Sequence, residues 1–347
     1  MGKRLLLVAG IIFCLSLTAS AWAIVDIPVS EYKQWPNNWG KWGPDDEVGC
    51  LNYNGPQQVI AAAKLVKQGK VIKCSWTCAP NSYPLWGARV GIRRYMNWSG
   101  KDAAMADKPG MWYSDEIITV GTHSMTHVDP LVHLWYGDKA YNGYPVKDTI
   151  THDNGTLKAN ANAYIEKAVQ RGVLLDLPRW KGVDYLGDKY LITPQDIEDC
   201  AKWEGVQIKP GDALLIRTGF MKHWSDKIIK SGGTLRWNAT VDGEPGIGGA
   251  CIEWTQNKKI GLWGADTIAV EHIVPVEPEW NKKYKVGLIP LHVAILSMLG
   301  CPLQELLNLD ELSEDCAKDG VYEFMYVWPP LNFWNATGGL MSPVAIK

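Results

Sequence analysis

The chain of 347 residues shows no excess of either charge, with 35 Lys and Arg against 37 Asp and Glu. A formal net charge of −2 leaves no basic field to hold a phosphate backbone, which argues against a nucleic-acid partner. Beyond its leader the sequence has no apolar run long enough to span a bilayer, and no Ser-, Gly- or Pro-rich linker divides residues 50 to 345. One domain is the simpler reading. Histidine is scarce, at seven residues in all. Three of them fall with an aspartate in the stretch GTHSMTHVDPLVHLW, between His123 and His133.

The first 23 residues join Lys3-Arg4 to an apolar run and close on Ala21-Trp22-Ala23, the small-x-small pattern of a secretory leader. The run Leu5 to Leu17 falls short of the roughly 20 residues a spanning helix needs. Cleavage after Ala23 would give a mature chain in the periplasm or secreted, with no membrane contact after processing. It would also remove Cys14 and leave Cys50, Cys74, Cys78, Cys200, Cys251, Cys301 and Cys316, an odd set with at least one unpaired thiol. CSWTC at 74–78 admits a short-loop disulfide but is too poor in further ligands for structural zinc. Four Asn-x-Ser/Thr sequons, at Asn97, Asn154, Asn238 and Asn335, matter only on a eukaryotic secretory route. Eighteen tryptophans are spread without a period, as packing residues are. Trp135 and Tyr136 lie nearest the histidines and are placed in sequence to stack on a flat substrate.

Residues 24–49 carry Pro, Trp, Asn and Gly in quick succession and read as an irregular arm over a body formed by 50–347. Periodicity predicts a helix over 55–70 and a strand in KVIKCSW. A helix over 163–172 stopped by Gly172 precedes a buried strand VLLDL. A Thr193-capped helix runs to Gly205, strands lie in DALLIRTG and IGLWGADT, and a helix starts at Pro290. Strands alternating with helices indicate an α/β domain with a largely covered sheet.

The cluster reads His123-x-x-Thr126-His127-x-Asp129-x-x-x-His133. Imidazole and carboxylate together suit zinc, manganese or iron, with each histidine neutral when it binds. In a straight strand, 123 and 127 would stand about 13 Å apart. In a helix, 127 and 129 would point about 200° apart. The chain is therefore expected to turn near Ser124–Thr126 and run extended from His127 to Asp129. His152, His223 and His272 stand alone and read as structural.

The stretch resembles the His-x-Gly-Thr-His-x-Asp-x-Pro-x-His signature of the metal-dependent cyclase family, which includes bacterial kynurenine formamidases and isatin hydrolases. YNGYP, RGVLLDL, GDALLIRTGF, GADTIAVE and LGCPLQELLNLDEL resemble its later blocks in order, over roughly 45–345. Met125 stands where the family has Gly, and Leu131 where it usually has Pro. The resemblance implies a mixed-sheet, swivelling β/β/α-like domain and a homo-oligomer. It implies one metal on His123, His127 and Asp129, with Asp129 bridging to a second on His292 and Glu305, so that one or two Zn2+ or Mn2+ ions bind. His133 would be the general acid/base, with Asp266, Glu271 or Arg217 in support. Such an ion lowers the pKa of water from 15.7 toward about 7, giving a nucleophile for an amide, lactam or lactone carbonyl of a small-molecule substrate. The expected function is an exported metal-dependent hydrolase of cyclic or aryl amides. The alternatives are a non-catalytic metal- or solute-binding protein and a metal-dependent lyase.

Overall fold

A computed structural model describes residues 34–87, 89–99, 113–273 and 289–347. The leader read over 1–23 and the start of the arm lie outside the described residues. The strands of the main sheet, in chain order, are β1 (Val71–Lys73), β2 (His127–Asp129), β3 (Val169–Asp176), β4 (Ala213–Arg217), β5 (Leu262–Ala265), β6 (Leu303–Glu305), β7 (Glu323–Val327), β8 (Gly339–Leu340) and β9 (Val344–Ile346). They form one nine-stranded sheet in the order β1-β9-β7-β3-β4-β5-β6-β2-β8. The four strands β3 to β6 run parallel at its centre, and the pairs on either side of them are antiparallel.

The apolar runs predicted as strands become this parallel core. Leu174, Leu175, Leu214, Leu215, Leu262 and Trp263 are buried in consecutive positions, as expected where both faces of a sheet are covered. The cover comes from helices α1 (Pro56–Ala63), α2 (Pro194–Trp203), α3 (Phe220–Lys230), α4 (Cys251–Lys258) and α5 (Asp310–Asp319). Helix α2 begins as its sequence predicts: Thr193 and Asp196 form a reciprocal capping box, and Pro194 takes the first helical position. The mixed α/β fold with one large sheet matches the expected class.

Two local readings need correction. Residues 161–167 form a 3-10 helix, and Gly172 lies inside β3 instead of ending a helix. A Cβ at Gly172 would stand 2.3 Å from Phe324 Cε2, so the glycine is there to let that buried ring cross the strand. Helix α1 stops at Ala63: the Leu65 and Val66 N–H groups bond back only three residues, to Ala62 and Ala63, and Gln68 and Lys70 then pair with the Lys347 carbonyl at the sheet edge.

Residues 34–48 form turns and bends that clasp the chain around 297–300. Trp39 Nε1 donates to the Ser297 carbonyl at 2.6 Å, and Asn38 Nδ2 to the Leu299 carbonyl at 2.9 Å. The clasped segment follows the helical turn Pro290–His292 and winds as a π-helix over Val293–Leu299, a widened geometry concentrated at functional sites. The described cysteines are free thiols, Cys74 and Cys78 among them.

Candidate metal centre

After Gly121 the chain turns through Thr122–Thr126 and enters β2, as the ligand spacing predicts. On β2 the side chains alternate: Val128 joins the core on one face, while His127 and Asp129 share the other. Antiparallel pairing to β6 sets His127 opposite Glu305 and Asp129 opposite Leu303. The turn before β2 brings His123 back to Asp129, with Nδ1 2.8 Å from Oδ1. A Cβ on Gly338 would stand 2.5 Å from His123 Nε2, so only glycine permits the chain to pass there. The turn after β2 places His133 with its ring stacked on His123, centroids 3.9 Å apart, and Nε2 4.0 Å from Asp129 Oδ2.

His292 enters from the start of its helix, with Nε2 3.0 Å from Glu305 Oε1 and 3.7 Å from Asp129 Oδ2. All six residues expected at the site, His123, His127, Asp129, His133, His292 and Glu305, therefore converge on one cavity. Five of them form two sets around the shared Asp129, His123 with His133 and His127 with Glu305, and His292 stands beside the second through Glu305.

The tautomers are set from behind. His127 Nδ1 lies 2.7 Å from the Met125 carbonyl and must donate to it, which leaves Nε2 as a lone-pair donor. Glu271 does the same for His292, whose Nδ1 and backbone N–H both reach Glu271 Oε2, at 2.5 and 2.7 Å. Of the supporting residues suggested by the sequence, Glu271 is thus in contact with the site. Asp266 instead binds the Thr218 and Gly219 backbone, and Arg217 pairs with Asp176 and Asp310. These two hold loops together and do not touch the ligands.

Three buried polar atoms in this cavity, His127 Nε2, Asp129 Oδ2 and Glu305 Oε2, have no hydrogen-bond partner. Orphaned groups of this kind are costly unless something else satisfies them. They comprise nitrogen and oxygen donors converging within 4.8 Å, the donor set and spacing that a Zn2+ or Mn2+ ion takes. The residues present fit a divalent metal.

Without an ion, protons carry the balance. Burial opposes a charge on His127, but the Asp129 and Glu305 carboxylates overcome it and raise its pKa to about 9. Burial likewise opposes a charge on His292, and Glu271 and Glu305 raise it to about 10. Glu305 falls to about 2 against burial and against Asp129, held there by His127 and His292. His133 goes the other way. Burial, unmatched by its carboxylate neighbours, lowers it to about 3 and keeps the ring neutral.

Two residues around the site carry no sequence signal that spacing could expose. Arg89 donates from Nη1 to the His123 carbonyl at 2.8 Å and lies 3.8 Å from Glu305 Oε2. Glu244, fully buried, accepts from the Ile268 and Ala269 backbone and so shapes the loop ending at Glu271. Strain gathers here as well. Val270 and Leu306, each next to a site carboxylate, have left-handed backbones with φ of 58° and 55°.

The other histidines stay apart from the cavity. His223 stacks on Tyr185 and His272 Nε2 meets the Lys189 carbonyl, whereas no contact links His152 to the cluster among the described residues. Tyr136 packs on Trp35 of the arm, and Trp135 is exposed. Thr122 and Met125 of the ligand-bearing turn also line an apolar chamber of about 710 Å³, walled by Ile118, Leu331, Phe333 and Leu340.

Comparison with known proteins adds to this geometry. A family described as "Putative cyclase" matches residues 43–272. A crystal structure described as a novel cyclase is 31% identical, with a TM-score of 0.80, covering 91% of this chain and 99% of its own. An isatin hydrolase bound to the product analogue thioisatinate shares the fold at 18% identity, with a TM-score of 0.58 over 84% of this chain and 99% of its own. Isatin hydrolase A from Ralstonia solanacearum does so at 17% identity, with a TM-score of 0.54 over 80% of this chain and 91% of its own. No curated protein matches the sequence.

Proposed function

The chain belongs to the cyclase family, and on that premise we propose that it is a metal-dependent hydrolase opening a cyclic or aryl amide, or a lactone. The observation that carries the reading is the trio of buried donor atoms on His127, Asp129 and Glu305 without hydrogen-bond partners, beside a neutral histidine. His123, His127, Asp129, His292 and Glu305 would hold the metal. When bound, a divalent ion acidifies water and polarises a carbonyl oxygen.

The protein's own residues supply the rest. His133, 4.0 Å from Asp129 at the edge of the donor set, is the side chain placed to accept the proton released as water adds to the carbonyl and then deliver it to the leaving nitrogen or oxygen. Its stacking on His123 fixes the ring plane. Glu271 holds His292 in one tautomer, and Met125 holds His127 in its own, so that both present Nε2 to the cavity. The net reaction adds one water across the C–N or C–O bond and leaves a carboxylate with an amine or alcohol.

A role in the periplasm or outside the cell rests on the leader pattern of residues 1–23, and a homo-oligomer on the family resemblance. The test of function is to incubate the purified protein, with and without chelator, with N-formylkynurenine, isatin and simple lactones. Chelator-sensitive ring opening or deformylation is expected. Stoichiometric metal with no turnover of any of them would instead favour a binding protein, and products lacking the added water a lyase.

A further inference from the structure

Arg89 lies on the segment that leads into the ligand-bearing turn. Its backbone N–H bonds the Trp86 carbonyl at 3.0 Å, and the next residue, Val90, accepts from Gly121 at 3.1 Å, just before that turn begins. The Arg89 side chain is only 23% exposed. A guanidinium is permanently charged and carries five N–H donors in a rigid fork. Among the described residues one of those donors is used, on the His123 carbonyl. The nearest carboxylate oxygen, Glu305 Oε2, is 3.8 Å away, beyond hydrogen-bond reach. That oxygen is one of the orphaned atoms lining the metal cavity. Among the described residues this largely buried cation thus meets one anion, Glu305, at ion-pair distance but without a hydrogen bond, and most of its fork is uncommitted. Such a charge is best satisfied by an anion that brings two oxygens to the fork.

The hydrolase reading, on which this inference rests, supplies such an anion. A neutral amide or lactone becomes a carboxylate as the ring opens, and negative charge first develops on the acyl oxygen. We propose that Arg89 is a substrate-binding residue that receives this acyl oxygen and then the product carboxylate on the Glu305 side of the site. Arylcarboxylates should accordingly bind the metal-loaded protein as product mimics, and Arg89 should set how tightly.

The experiment uses benzoate as the minimal arylcarboxylate, titrated calorimetrically into Zn2+-loaded wild type, Arg89→Gln and Arg89→Lys, with metal content and melting temperature measured alongside. Equal metal per chain is expected in all three. The benzoate dissociation constant should rise about 10-fold or more in Arg89→Gln, with Arg89→Lys in between because a point charge replaces the fork. If Arg89→Gln does not fold, the Arg89→Lys comparison alone decides. Unchanged benzoate affinity in the variants, no benzoate binding by wild type, or a loss confined to metal content would each overturn the proposal, the last making Arg89 a brace for the His123 turn. Turnover separates the two readings: if no cyclic amide, aryl formamide or lactone is hydrolysed while benzoate binding still depends on Arg89, the hydrolase assignment falls and the anion site stands.

Discussion

His127 and Glu305 are register partners on neighbouring antiparallel strands, with Nε2 and Oε2 3.2 Å apart and both atoms buried without a hydrogen bond. At that distance they pair electrostatically when His127 is protonated, yet it is the sheet that sets where each group stands. Backbone pairing on both sides of β2 fixes their positions, so the site is preorganised by the same hydrogen bonds that build the core.

Removing either partner should therefore empty the site while leaving the fold. His127→Ala and Glu305→Gln are expected to lose metal affinity by at least about 100-fold, since even a residue behind a ligand costs 10–100-fold when removed. Elemental analysis after dialysis checks the content. Chelator should lower the melting temperature of wild type, because an ion that binds only the folded state stabilises it, and should leave both variants unmoved. Metal content equal to wild type in His127→Ala would remove the basis of the assignment.

His133 stands differently, because its ring is neutral and borders Asp129 without bonding it, at 4.0 Å. His133→Ala is expected to keep its metal and lose turnover by about 10²–10⁴-fold, the usual worth of a positioned proton carrier. Parallel loss of metal and activity would make it a ligand instead.

Glu271 tests the support behind the ligands. One of its oxygens serves both the ring and the backbone N–H of His292, and the other faces the Leu291 N–H at 3.4 Å. The amide of Glu271→Gln has a single acceptor oxygen and no charge, so His292 loses part of its anchor. A fall of about 10–100-fold in metal affinity is expected by competition titration. An unchanged affinity would reduce Glu271 to a helix cap.

The ligand turn, the extended run from His127 to Asp129 and the parallel core strands were legible because each rests on local spacing: an alternation, a short apolar run, a Thr-Pro cap. Gly172 misled because a glycine after a helix-like pattern resembles a stop, whereas its cause is the Phe324 ring arriving from another strand. Arg89 and Glu244 were invisible for the same reason. Each acts through a backbone group or carboxylate far away in sequence, and an isolated Arg or Glu has no periodic signature. His292 and Glu305 were suggested by family resemblance alone; the β2–β6 register sets Glu305 opposite His127, and Glu271 holds His292 toward Glu305.

A last expectation concerns stability away from the site. Glu204 is 7% exposed, its Oε1 accepts from the Asp176 N–H at 2.7 Å, and its Oε2 has no partner. Burial raises its pKa to about 8, against the Asp176 N–H bond that favours the carboxylate. The folded protein therefore holds this proton more tightly than the unfolded chain, where an ordinary glutamate titrates near about 4.3. The stability it contributes is complete below about pH 4 and is lost as pH rises through 8, at up to about 1.4 kcal/mol per pH unit in between. Glu204→Gln keeps an acceptor for the Asp176 N–H and removes the titration. Urea denaturation from pH 5 to pH 9 should show the variant gaining on wild type as pH rises, and parallel curves for the two would show that Glu204 is ionised in the folded state.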